Sequence, residues 1–114
     1  MAVADTLLRV GCQVYQLASP IGATGLILRH NLKAAIIDVS APGSGSDKMV
    51  AMLRSNLRLR DLAIILISGN PDVDLEATRA ATGANGALDK SRIEAELWPM
   101  LARVLGGSLD RSGK

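Results

Sequence analysis

The chain has 114 residues, 48% hydrophobic and 21% charged, which suits one domain with one core and excludes a disordered chain. No apolar run approaches the roughly 18 residues needed to span a membrane, and the opening MAVADTLLRVG has an early acid where a secretory signal has a basic stretch. With these features and a lone Cys12 the expected setting is the cytoplasm, and a formal net charge of +2 with one Trp and one Tyr offers neither the dense basic stripe nor the stacking platform of a nucleic-acid binder.

In chain order, VADTLLRVG reads as a short helix stopped by Gly11. CQVYQLA alternates polar and apolar residues, as a half-buried or edge strand does. Its Cys12 is the sole cysteine, which excludes an intrachain disulfide, and no neighbouring His or Cys suggests a metal site. SPIGATGLILRHN predicts a helix capped by Ser19, with Pro20 in its first position. The only histidine, His30, falls in a polar loop without a catalytic partner, which argues against an autonomous enzyme.

AAIIDV at 34–39 is a continuous apolar run of the kind covered on both faces, interrupted by one acid, Asp38. After an APGSGS loop, Met49, Leu53 and Leu57 recur every four residues and mark an amphipathic helix. Arg54, Arg58 and Arg60 read as a solvated helix face. LAIILIS at 62–68 is the strongest strand pattern and ends at Ser68. DVDLEATRAATGA predicts a helix with Val73, Ala77 and Ala81 on a face of small residues and Gly83 near its end, and NGALDK supplies a last strand ending at Lys90. In the final helix, SRIEAELWPMLARVLGG, Ser91 and Glu94 have capping-box spacing. Ile93, Leu97, Leu101, Val104 and Leu105 form its buried stripe, and Pro99 predicts a kink or restart. Residues 1–106 thus form one domain, and 107–114 form a flexible Gly/Ser-rich tail.

Strands separated by helices require crossover connections, hence an α/β fold: a small, doubly wound parallel sheet. Ligands of such sheets bind at the carboxyl ends of the strands. Asp38, Ser68 and Lys90 all end strands there, which places a nucleophilic carboxylate, a hydroxyl and an ammonium on one rim.

That trio resembles the response-regulator receiver domain, the flavodoxin-like phosphoacceptor module of two-component signalling. Thirty residues separate Asp38 from Ser68 and twenty-two separate Ser68 from Lys90, spacings common in that family. Pro42 follows the aspartate by four, GANGALDKS resembles the segment leading to the family's lysine, and GCQVYQLAS resembles its second strand. The resemblance runs from Leu7 to Leu105. It implies that Asp38 is the phosphoacceptor, Ser68 the switch hydroxyl and Lys90 the phosphoryl-pairing ammonium. Chemically, a carboxylate can attack phosphorus if fixed positive charge stabilises the oxygens in transfer.

Several departures point to a degenerate member. The family's first strand, with the acid pair that helps hold Mg²⁺, has no counterpart here, and Asp5 lies on the wrong element to replace it. Asp38 alone makes a weak Mg²⁺ site. Ser91 follows the lysine where the family usually has proline, Ala87 stands where many members carry an aromatic switch residue, and Ser46 replaces a helix-starting glycine. Loss of a central strand predicts four strands with CQVYQLA beside AAIIDV, or a homodimer that covers the gap by swapping or by pairing strand edges. An alternative is that Met1 is an internal methionine and the native product is longer.

The leading expectation is an atypical receiver-like module, not an enzyme. It would need no cofactor and would act through contacts with a histidine kinase, a phosphotransfer protein or another receiver. Its alternative is a phosphorylatable single-domain response regulator that uses Asp38 and Mg²⁺. A nucleotide- or nucleic-acid-binding domain is disfavoured, because no Gly-rich phosphate fingerprint follows any strand.

Overall fold

The computed structural model describes residues 2–17, 22–40 and 45–112. Helices α1 (Ala2–Arg9) and α2 (Ala23–His30) precede strand β1 (Ala34–Asp38), followed by α3 (Ser46–Ser55), β2 (Ala63–Ser68), α4 (Leu75–Thr82), β3 (Gly86–Asp89) and α5 (Ile93–Ser112). All pairing is parallel, in the order β1-β2-β3, with Ile36 beside Ile65 and Ile65 beside Gly86. Single-turn 3₁₀ segments at Leu57–Leu59 and Lys90–Arg92 complete the chain.

Alternation along each strand sends successive side chains to opposite faces, and here each face meets its own helices. Ile37, Val39, Ile64 and Leu66 pack with Ile27 of α2 and with Val50 and Leu53 of α3. On the other face Ala63, Ile65, Ile67 and Leu88 pack with Val3 and Leu7 of α1 and with Ile93, Leu97 and Leu101 of α5. The expected doubly wound α/β architecture is therefore present. Every residue of β2 is buried, as its unbroken AIILIS pattern requires. Each of its large aliphatic side chains contributes about 1.5–3 kcal/mol by leaving water.

The strand count differs from expectation: the described residues form three strands, not four. Residues 12–17 carry the alternating pattern but join no ladder. Cys12 and Val14 still pack against the core on the α1/α5 face, while Leu17 is exposed. Alternation supplies two faces, but a strand also needs a neighbour for its backbone donors and acceptors.

Helix boundaries shift for local reasons. Ser19 and Pro20 lie outside the described residues; α2 starts after Gly22, whose φ of 87° is left-handed and suits glycine. Asn56 ends α3, so Leu57 leaves the expected stripe and is 80% exposed, and Leu59 is buried instead. In α4 the small-residue face of Ala77 and Ala81 is exposed, and Val73 and Leu75 make the core contacts. Helix α5 runs through Pro99 and past Gly106 to Ser112. Ahead of it, Asp89 holds the turn that Ser91 and Glu94 were expected to cap, its Oδ1 accepting from Ser91 N at 2.9 Å.

Opposite the rim, Arg54 does not lie on a solvated face. Its Nε donates to Gly83 O (3.0 Å), its Nη1 to Leu62 O (2.7 Å) and its Nη2 to Asn85 Oδ1. Asn85 Oδ1 also accepts from Ile64 N at 2.8 Å. Partial burial presses the Arg54 pKa down, but a guanidinium keeps its charge regardless. One side chain thus joins α3, the entry to β2 and the end of α4.

Candidate functional site at the carboxyl rim of the sheet

Because the strands are parallel, their carboxyl ends lie on one rim. Asp38 is the last residue of β1, Ser68 ends β2, and Lys90 follows β3 directly. Lys90 reaches across the end of β2 to place Nζ 2.5 Å from Asp38 Oδ2, with each side chain about one-third exposed. The other oxygen, Oδ1, accepts from Ser40 N at 2.8 Å. Partial burial works against the Asp38 charge. The Lys90 and Ser40 hydrogen bonds and the Lys90 charge outweigh it, and the carboxyl ends below the ordinary aspartate value.

Ser68 stands on the same rim but is turned to its own loop. Its hydroxyl, 1% exposed with its residue, accepts from Asn70 N (3.0 Å) and donates to Asn70 O (3.3 Å). The hydroxyl that the resemblance makes the switch residue is thus bonded within its own turn. Ala87 is half-buried against the α2/α3 face of the core, and Ser91 donates its hydroxyl to Asp89 Oδ1 at 2.7 Å. The side chain of Ser46 and the whole of Pro42 lie outside the described residues. His30 is the final residue of α2 and stacks on Tyr15, with ring centroids 4.4 Å apart.

Four residues of the rim carry structure that the motif reading passed over. Ser40 Oγ accepts from Gly69 N (2.9 Å) and Ser40 O accepts from Asn70 Nδ2 (3.0 Å), so this one residue laces the loop after β1 to the loop after β2. Gly69 lies under Lys90: a Cβ there would sit 3.2 Å from Lys90 Cδ. Asp89 fastens the turn that carries Lys90. A signal for three of these contacts is present in sequence, since Asp38-x-Ser40, Ser68-x-Asn70 and Asp89-x-Ser91 each permit a side chain to bond the backbone two residues on. Each strand ends in such a turn.

At the rim the two oxygens of Asp38 are engaged by Lys90 and Ser40, and Asp89 Oδ1 is engaged by Ser91. Among the described residues, no group of three or more His, Cys, Asp or Glu side chains is placed to hold a metal ion. Mg²⁺ is commonly held by one or two carboxylates with water and phosphate oxygens, and both oxygens of Asp38 are here engaged by Lys90 and Ser40.

No known protein family and no curated relative matches the chain. Solved structures do. A response regulator from Chloroflexus aurantiacus is 24% identical with a TM-score of 0.79, over 90% of this chain and 84% of its own. A chemotaxis protein of Vibrio cholerae is 24% identical with a TM-score of 0.76, over 90% and 86%. The receiver domain of a sensor histidine kinase from Pseudomonas aeruginosa, solved with magnesium coordinated in its active-site cleft, is 25% identical with a TM-score of 0.75, over 91% and 85%. The fold of this chain is therefore that of response-regulator receiver domains, and its structural neighbours are receivers of two-component signalling. No described helix is long and apolar enough to cross a membrane.

Proposed function

We propose that the chain is an atypical receiver-like signalling module of two-component or phosphorelay type that acts through protein contacts in the cytoplasm. In this reading Asp38 serves chiefly as half of a structural ion pair, and phosphorylation there is weak or absent. The observation that carries it is the Asp38–Lys90 contact at 2.5 Å, on a rim where no group of three or more metal-binding side chains gathers among the described residues. For Asp38 Oδ2 to attack a phosphoryl donor, a new O–P bond must form while the donor's bond to phosphorus breaks. Lys90 would then have to leave Oδ2 and follow the phosphoryl oxygens, with Ser68 turning from Asn70 to donate to one of them. With a single ammonium to offset the charge of a dianionic donor, that step is slow. Partners are a histidine kinase, a phosphotransfer protein or another receiver, and no cofactor is required.

The second reading, favoured by the placement of Asp38, Ser68 and Lys90 on one rim, is a response regulator that accepts phosphate on Asp38 with Mg²⁺. Amide NMR spectra recorded with Mg²⁺ and beryllofluoride separate the two. Unchanged signals for Asp38, Ser68 and Lys90 are expected. Shifts at these residues that vanish in Asp38→Ala would establish the second reading instead.

A further inference from the structure

Two stretches meet at the amino end of the sheet. Lys33 leads into β1 and residues 56–61 lead towards β2, and Ala63 N joins them by donating to Lys33 O at 3.0 Å. With Arg29 in the last turn of α2, this end presents Lys33, Arg58 and Arg60, all exposed, against one exposed acid, Asp61. None of these four cations makes an ion pair or a side-chain hydrogen bond among the described residues. Elsewhere most of the described arginines are matched. Arg9, Arg79 and Arg92 meet Glu94, Glu76 and Glu96, and Arg54 is spent on two carbonyls and an amide.

Leu57 stands among these unspent charges. It is 80% exposed, more than any other large apolar side chain among the described residues. Its turn holds it there. Asn56 Oδ1 accepts from Arg58 N and Asn56 O accepts from Leu59 N, both at 2.9 Å, and Leu62 N donates to Leu59 O at 3.0 Å. Leu59 is buried, so the turn cannot draw Leu57 inward without giving up Leu59. A single exposed leucine is ordinary; one fixed among four uncompensated cations is a surface shaped for contact.

We propose that this end of the sheet docks an acidic segment of a partner protein, whose carboxylates meet the four cations while an apolar side chain of the segment rests on Leu57. Four cations facing one acid call for an anionic partner. Three of the four are arginines, whose planar forks take carboxylates through paired hydrogen bonds. A lipid surface fits less well, because stable anchoring needs a broad apolar face or a lipid chain besides basic residues, and this end offers one leucine. A nucleic acid also fits less well, because residues 29–33 and 56–61 hold no Phe, Tyr or Trp on which bases could stack. Asp61 repels either of these uniform polyanions, whereas a protein segment can set a base opposite it. Asp38 lies at the far end of β1. The docking therefore goes beyond the reading of the rim and holds whether or not Asp38 takes phosphate.

The test is fluorescence anisotropy of a labelled peptide of repeating Glu-Glu-Leu with the full chain at physiological ionic strength, and amide NMR to map the contact. Saturable binding is expected, with shifts at Lys33, Leu57, Arg58 and Arg60 and none at Asp38 or Lys90. Arg58→Glu is expected to weaken binding by about tenfold, and Leu57→Ser by about fivefold. Arg92→Glu makes the same change of charge at the other end of the sheet and is expected to leave binding unchanged. Absence of saturable binding would overturn the proposal, as would shifts centred elsewhere. Equal weakening by Arg58→Glu and Arg92→Glu would reduce the effect to net charge and overturn it too. So would tighter binding to phosphatidylserine vesicles or to a single-stranded oligonucleotide than to the peptide. Should a variant not fold, the wild-type shift map decides alone.

Discussion

The two ends of the sheet are both tied by one cation, and the ties are of different kinds. At the amino end, Arg54 spends its donors on two backbone carbonyls and a fixed amide, none of which changes charge. At the carboxyl rim, Lys90 meets a titratable carboxylate at the end of a flexible stem. The arginine's planar fork fixes three segments at once, while the lysine is a point charge that can let go. The contrast teaches that a polar contact across a sheet is a scaffold when its acceptors are backbone, and is available for exchange when its acceptor is a side chain.

The contrast would be lost if both ties proved equal in energy, and the largest difference should come from Arg54. Arg54→Ala removes the donor to Leu62 O and Gly83 O together and one of the two donors to Asn85 Oδ1, and a loss of about 2 kcal/mol is expected from urea unfolding. Next comes Ser40→Ala, which leaves Gly69 N without its acceptor and should cost about 1 kcal/mol, again read from the urea midpoint. Asp38→Asn removes an ion pair whose members are each about one-third exposed, so solvent screening limits its cost to under about 1 kcal/mol.

The pH dependence of that last difference sharpens the point. The folded Asp38 pKa is lowered, so its contribution is fully present above the ordinary aspartate value and is lost as pH falls through the folded value. The gap between wild type and Asp38→Asn should be flat from neutral pH down to the ordinary value. It should then close below it. The Arg54→Ala gap has no titrating partner of that kind and should persist through the same range.

Much of this was legible in the sequence, and the rest was hidden for identifiable reasons. AAIID, AIILIS and GALD read as strands because apolar runs bounded by turns leave few alternatives. The meeting of Asp38 with Lys90 followed from their strand-end positions in a parallel sheet. Residues 12–17 were misread because alternation does not reveal whether a ladder partner exists. Leu57 was misplaced because a period-four stripe does not show where Asn56 ends the helix. Arg54 looked solvated because its acceptors lie 8, 29 and 31 residues away, and no local pattern encodes them. Ser68 turned to Asn70 rather than to the ion pair because a hydroxyl two residues before a free N–H closes a local turn at little entropic cost.

The complete burial of β2 has a consequence for the chain before it is folded. AIILIS is six residues without charge, proline or glycine, rich in β-branched side chains, the composition of a segment that stacks on copies of itself into fibrils. Safety in the native state comes from the helices on both faces, and during synthesis or refolding those covers are not yet in place. Arg60 and Asp61 just before it, and Gly69, Asn70 and Pro71 just after it, act as gatekeepers that interrupt such stacking. The strand that organises the finished molecule is thus also its chief hazard on the way there.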